Sequence, residues 1–192
     1  LLFLSRTTQS PIGEWRLWRA GRTGKPRRLT PEGRRPFDVV PYGDGAIYGA
    51  AVEADGSLRS QLFAVDGKGD EKQLTSDPWN SFKPARGPGR SLYCLVNREG
   101  TQKHLYRLEQ DGSATQLTRT VDVHSRPVVS PCGRWVAILT VDPVLGLRAL
   151  KLAPAKGGEP SLLYTFPAEP CPDDCSGWVP SDTSFAWVVC SC

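Results

Sequence analysis

Chemistry requires particular side chains at workable spacing, and this chain offers few. It holds six cysteines and two histidines. Four of the cysteines (Cys171, Cys175, Cys190 and Cys192) fall near the C-terminus as C-x3-C and C-x-C. Structural zinc sites more often draw on C-x2-C pairs on tight knuckles, so no metal is expected here. Cys171 and Cys175 flank a Pro-Asp-Asp loop and form a candidate disulfide if the compartment is oxidising. Unpaired thiols are the plainer reading, and Cys94, within an apolar run, reads as a small buried hydrophobe. His124 lies two residues from Asp122, but no partnered nucleophile accompanies them. No G-x-S-x-G elbow occurs, and the glycines fall in turns rather than in a phosphate loop. The pair Asp173-Asp174 lacks the further oxygen ligands that calcium needs. The expectation is therefore no catalytic residue, no cofactor and no hydrolase activity in these residues alone.

Charge narrows the partners. The net charge is +4, mildly basic and mixed along the chain, and the aromatic residues interleave with arginine only at positions that read as core. Neither feature fits a nucleic-acid platform. A local cluster, Arg27, Arg28, Arg34 and Arg35, either meets an acidic partner or is a solvated strand and loop. No apolar run approaches the roughly 20 residues that span a bilayer. The chain contains no Met and opens on Leu1 to Leu4 without a basic n-region, which reads as a processed or excised piece.

The elements that must position these residues announce themselves by repetition. Arg28-Leu29-Thr30, Gln73-Leu74-Thr75 and Gln116-Leu117-Thr118 recur at intervals of 45 and 43, with a weaker copy near Leu162-Leu163. Other columns keep step: Leu17-Trp18, Leu62-Phe63, Leu105-Tyr106 and Ala149-Leu150; Phe3, Tyr48, Tyr93 and Ala137; Pro36, Pro84 and Pro127. Segments 46–52, 91–96, 134–141 and 185–190 are apolar on both alternating faces, as in a strand buried between two sheets. Asp66-Gly67 and Asp111-Gly112 read as hairpin turns with φ > 0. No segment combines helical periodicity with caps.

Four short strands per repeat predict an all-β chain, a β-propeller of four-stranded antiparallel blades. One blade has two apolar faces and hides them only against its neighbours. The repeats divide the chain into a partial blade 1–30, blades 31–75, 76–118 and 119–166, and a partial blade 167–192. That is about four blades' worth, so an incomplete propeller is expected.

The fourth repeat reads PVVSPCGRWVAILT over 127–140, with Leu117-Thr118 upstream. It resembles the TolB-type, WD-like propeller repeat, although Cys132 stands where that pattern usually has Asp, and the turns at 41–45 and 87–90 depart further. The resemblance covers essentially the whole chain. It implies that loops leading from one blade's outer strand to the next blade's inner strand gather at one mouth of a central channel. Here those loops are 31–36, 76–83 and 119–126, which makes Arg34, Arg35, Trp79, Asn80, Asp122 and His124 the candidate binding residues. The implied function is non-catalytic binding of a protein or peptide. The alternative is the substrate-gating propeller of a prolyl-oligopeptidase-family serine peptidase, with its catalytic domain elsewhere. The compartment differs accordingly: periplasmic or extracellular if TolB-like, cytoplasmic if peptidase-like. Oligomeric state is not legible.

Overall fold

The computed structural model describes residues 1–6, 15–76, 78–98, 102–109, 113–142 and 146–166. All fifteen regular elements among them are β-strands. The candidate strand 185–190, the turn Asp111-Gly112, the Asp173-Asp174 pair and the candidate disulfide Cys171–Cys175 lie outside the described residues. The chain divides into two compact units, Leu1–Pro84 and Ala85–Cys192.

The first unit carries a three-stranded sheet of β1 (Leu2–Arg6), β2 (Trp15–Arg19) and β3 (Arg27–Arg28). It also carries a four-stranded sheet of β4 (Phe37–Tyr42), β5 (Gly45–Ala54), β6 (Ser57–Val65) and β7 (Glu71–Gln73). The unit boundary falls within β8 (Asn80–Arg86), which opens the third sheet with β9 (Leu92–Asn97), β10 (His104–Leu108) and β11 (Ala114–Gln116). The second unit adds a fourth sheet of β12 (Val128–Val129), β13 (Trp135–Val141), β14 (Arg148–Pro154) and β15 (Ser161–Thr165). Strands in each sheet follow chain order, each strand pairing with the next, so every sheet is a meander.

The repeated Leu-Thr has a physical role. In three sheets the leucine amide of the outer segment donates to the leucine carbonyl of the strand before it: Leu29 to Leu17 at 2.9 Å, Leu74 to Leu62 at 2.8 Å and Leu117 to Leu105 at 2.8 Å. The following threonine hydroxyl then accepts the amide of that same partner. Leu17 N reaches Thr30 Oγ1 at 3.2 Å, Leu62 N reaches Thr75 Oγ1 at 2.9 Å and Leu105 N reaches Thr118 Oγ1 at 2.9 Å. All three threonines are buried, so each hydroxyl satisfies an amide that the departing chain would otherwise strand. The tripeptide is thus a terminator for the outer strand.

In the first unit the two sheets share a core of Leu17, Leu29, Ala46, Tyr48, Ala50, Phe63 and Val65. Tyr48 and Phe63 face each other across β5 and β6 and stack with centroids 5.7 Å apart. The pairing register corrects one sequence column. Opposite Tyr106, which occupies the position of Phe63, stands Cys94 and not Tyr93; Tyr93 pairs with Arg107. Equal spacing in sequence had placed Tyr93 one residue off, onto the other face of the strand. Cys94 is fully buried and forms no disulfide.

The turn between β6 and β7 also differs from expectation. It spans five residues, and Gly69, with φ +91°, supplies the left-handed position where Gly67 was expected to. Asp66 organises it through its carboxylate, which accepts the amides of Lys68 at 2.8 Å and Asp70 at 2.9 Å. The Asp-Gly hairpin with both residues at positive φ lies between β5 and β6, at Asp55 (51°) and Gly56 (71°). That hairpin is long. Beyond Gly49 and Phe63, neither β4 nor β7 flanks it, and residues 50–54 and 57–61 form a two-stranded ribbon.

Candidate functional site

The loops that follow the outer strands are each held by their own unit. Between β3 and β4, Arg34 is drawn inward. Its Nη2 donates to Glu71 Oε1 at 2.7 Å, and its guanidinium lies over the Phe63 ring, 4.2 Å from the centroid. The other Glu71 oxygen accepts the Tyr48 hydroxyl. Arg34 therefore closes a part-buried Tyr-Glu-Arg chain over the aromatic core, and its charge is answered before any ligand arrives. Arg35, one residue on, is exposed.

Between β7 and β8 the chain is stitched to β6. Arg59 donates to the Pro78 carbonyl, Gln61 Nε2 to the Trp79 carbonyl at 2.8 Å, and Ser60 N to Asn80 Oδ1 at 2.8 Å. The hydroxyl of Ser60 donates to the Ser81 carbonyl at 2.7 Å. Asn80, expected in a loop, is the first residue of β8, and Ser60 of β6 bonds the first two residues of that strand, through its amide to Asn80 Oδ1 and its hydroxyl to the Ser81 carbonyl. Trp79 is half-buried, fixed through its backbone, and Asn80 is exposed. Beside this segment a cleft of about 190 Å³ opens, lined by Val52, Asp55, Arg59, Gln61, Gln73 and Pro78. Its walls are the β5–β6 ribbon and the β7–β8 loop. Sequence reasoning singled out Trp79, which adjoins the lining residue Pro78, and passed over Arg59 and Gln61, which line the cleft and read as ordinary strand residues.

In the second unit, Asp122 and His124 pair at 2.9 Å through Oδ2 and Nε2, while Asp122 Oδ1 accepts the Lys103 amide at 2.7 Å. Val123 between them is buried, and its amide donates to the Lys103 carbonyl at 2.8 Å. The backbone of His124 donates to the Leu139 carbonyl at 2.8 Å. This arrangement fastens the loop to the sheets of its unit, with His124 still partly exposed at its edge.

A second cleft in this unit, of about 350 Å³, is lined by Arg90, Ser91, Tyr93, Arg107, Glu109 and Gly133. Arg107 is committed there: two of its nitrogens bond Glu109 Oε1 at 2.8 Å, and a third reaches the Ala155 carbonyl at 3.3 Å. The adjoining turn carries Cys132, which is exposed and disulfide-bonded. Among the described residues no group of three or more His, Cys, Asp or Glu side chains converges to hold a metal ion. No helix among them is long and apolar enough to cross a membrane.

Neither a protein-family model nor a curated protein matches the chain. Solved structures do. A TolB-assigned protein from Agrobacterium tumefaciens is similar at 22% identity and a TM-score of 0.62, over 85% of this chain and 61% of that one. TolB from Acinetobacter baumannii is similar at 18% identity and 0.58, over 83% and 40%. The β-propeller domain of the Trilobed protease from Pyrococcus furiosus is similar at 14% identity and 0.57, over 84% and 48%. These likenesses establish the fold, an all-β propeller architecture of four-stranded antiparallel blades. This chain spans from two fifths to three fifths of each relative's length, which fits an incomplete set of blades.

Proposed function

We propose that this protein is a non-catalytic propeller module that binds a protein or peptide through the loops following its outer strands. The observation that supports this most is the cleft beside Trp79. Half-exposed Trp79 and exposed Asn80 follow directly on Pro78, which lines the cleft; Gln61 holds the Trp79 carbonyl, and the Ser60 amide holds the Asn80 side-chain oxygen. Pre-positioned aromatic and amide groups lose little conformational freedom when a ligand arrives. Arg35, exposed in the preceding loop, adds a charged contact on the same unit. Asp122 and His124 offer a separate polar contact on the second unit, and Arg34 supports from behind.

The test is a peptide-array screen with the 192-residue chain, repeated with Trp79→Ala. Bound peptides that lose affinity about tenfold or more in the variant, with an unchanged melting midpoint, support the reading. Binders indifferent to Trp79 and Asn80 refute it. The likeness to a protease's propeller domain favours a second reading, in which the module gates substrate for a peptidase. A G-x-S-x-G segment in the same reading frame, outside these residues, selects that reading.

A further inference from the structure

The three-stranded sheet carries a charge that no other turn of its kind shares. From Trp15 to Pro31 the chain has six cations (Arg16, Arg19, Arg22, Lys25, Arg27 and Arg28) and no Asp or Glu, although the whole chain's net charge is only +4. The rest of the protein is therefore net negative. The turn between β6 and β7, which is equivalent, sets Asp66 and Asp70 against Lys68, and the one between β14 and β15 sets Glu159 against Lys156.

Position gathers these cations. Arg19 and Arg27 are cross-strand partners in β2 and β3, so they share one face at one end of the sheet, and residues 20–26 that join them carry Arg22 and Lys25. Arg28 is committed to the Pro31 carbonyl at 2.6 Å, and Arg19 has a loose, exposed contact with Asp44 at 3.6 Å. Arg22, Lys25 and Arg27 are exposed and have no side-chain partner among the described residues. Like charges this close repel one another and are retained at a cost to stability, which an acidic ligand would relieve.

We propose that residues 19–27 form a docking surface for an acidic segment of another protein, a run of Asp and Glu. The surface goes beyond the peptide site above and lies at the other end of its strands: the chain enters β2 and leaves β3 at the end that leads to loop 31–36, whereas the 20–26 turn caps the opposite end. The residues between the cations are Ala, Gly, Thr and Pro, so nothing here inserts into a membrane. No exposed aromatic side chain stands within the turn to stack a base; Trp18 is half-buried with its indole N–H on Ser5 Oγ at 2.8 Å, and Trp15 begins β2 at the far end. What remains is multivalent attraction to carboxylates.

The experiment measures fluorescence anisotropy of a labelled octaglutamate peptide with the full chain, at about 20 and about 200 mM salt. Saturable binding is expected, several-fold weaker at the higher salt. Arg22→Glu/Lys25→Glu/Arg27→Glu should weaken it about tenfold or more, and the corresponding triple Gln variant by less. Arg90→Glu, an exposed cation in the second unit, should leave it within twofold. Melting midpoints confirm that the variants fold. No saturable binding at low salt, equal binding by the triple variants, an equal loss in Arg90→Glu, or tighter binding of a single-stranded oligonucleotide of matched charge would each overturn the proposal.

Discussion

Replacing Thr75 with Val tests whether the threonine terminators hold the sheets. Valine keeps the β-branched shape, so the substitution removes a hydroxyl and little else. The Thr75 hydroxyl accepts Leu62 N at 2.9 Å and donates to Gln61 Oε1 at 2.6 Å, and both Thr75 and Gln61 are buried. Two buried polar groups each lose a hydrogen bond at once. Each such loss costs roughly 1–2 kcal/mol, so the variant should lose about 2–4 kcal/mol. Thr30→Val and Thr118→Val each strand one amide, Leu17 and Leu105, and should lose about 1–2 kcal/mol. With a urea dependence of about 2 kcal/mol/M, the Thr75→Val midpoint should fall by about 1–2 M and the others by about half that. Amide exchange provides a local readout, because the Leu62 amide should lose its slow exchange in Thr75→Val and retain it in Thr118→Val. A Thr75→Val cost below about 0.5 kcal/mol, or equal costs for all three, would refute the assignment of the repeat's threonine to this role.

Three further outcomes are expected. Tyr48→Phe breaks the hydrogen bond to the Glu71 carboxylate and should lower stability by about 1.5–3 kcal/mol, measured by urea unfolding, whereas Phe63→Tyr should not restore it. The Asp66 carboxyl is held below its usual value by the Asp70 amide foremost, against desolvation, with the Lys68 and Gly69 amides adding to the lowering. A depressed folded value means that its contribution is fully present above about pH 4 and is lost as pH falls below that. Asp66→Asn should accordingly flatten the acid limb of the melting midpoint and leave its pH dependence near neutrality unchanged. Alkylation under denaturing, non-reducing conditions followed by peptide mass spectrometry should modify Cys94 and spare Cys132 until a reductant is added.

The fold was legible because each repeat solves the same backbone problem with the same residues: a leucine that continues the ladder and a threonine that ends it. Apolar runs such as 134–141 read correctly because strands covered on both faces need no polar alternation. Single-residue register was not legible, as Tyr93 shows, since interval counting tolerates a slip that the pleat does not. Turn chemistry was half legible. Asp66 was found and its role misassigned, because a carboxylate that caps amides and one that simply occupies a tight turn look alike in sequence, while Asp55-Gly56 passed unnoticed. The candidate site divides the same way. Trp79 and Asn80 were singled out from their place after an outer strand, but Arg34 is committed to Glu71 and Phe63, residues 37 and 29 positions away, which no local pattern reveals.

The ribbon of residues 50–61 gives the Trp79 cleft one stiff wall and one soft wall. The loop side is riveted by Arg59, Ser60 and Gln61; the tip side, with Asp55 and Gly56 at its apex, has no lateral strand, and a lone pair of strands is barely self-supporting. A guest lodged there must quiet the tip to gain its contacts, so tightness and selectivity should both respond to stiffening far from any contact. A clasp across the apex would sharpen recognition without touching the guest, whereas lengthening the apex with glycines would blur it.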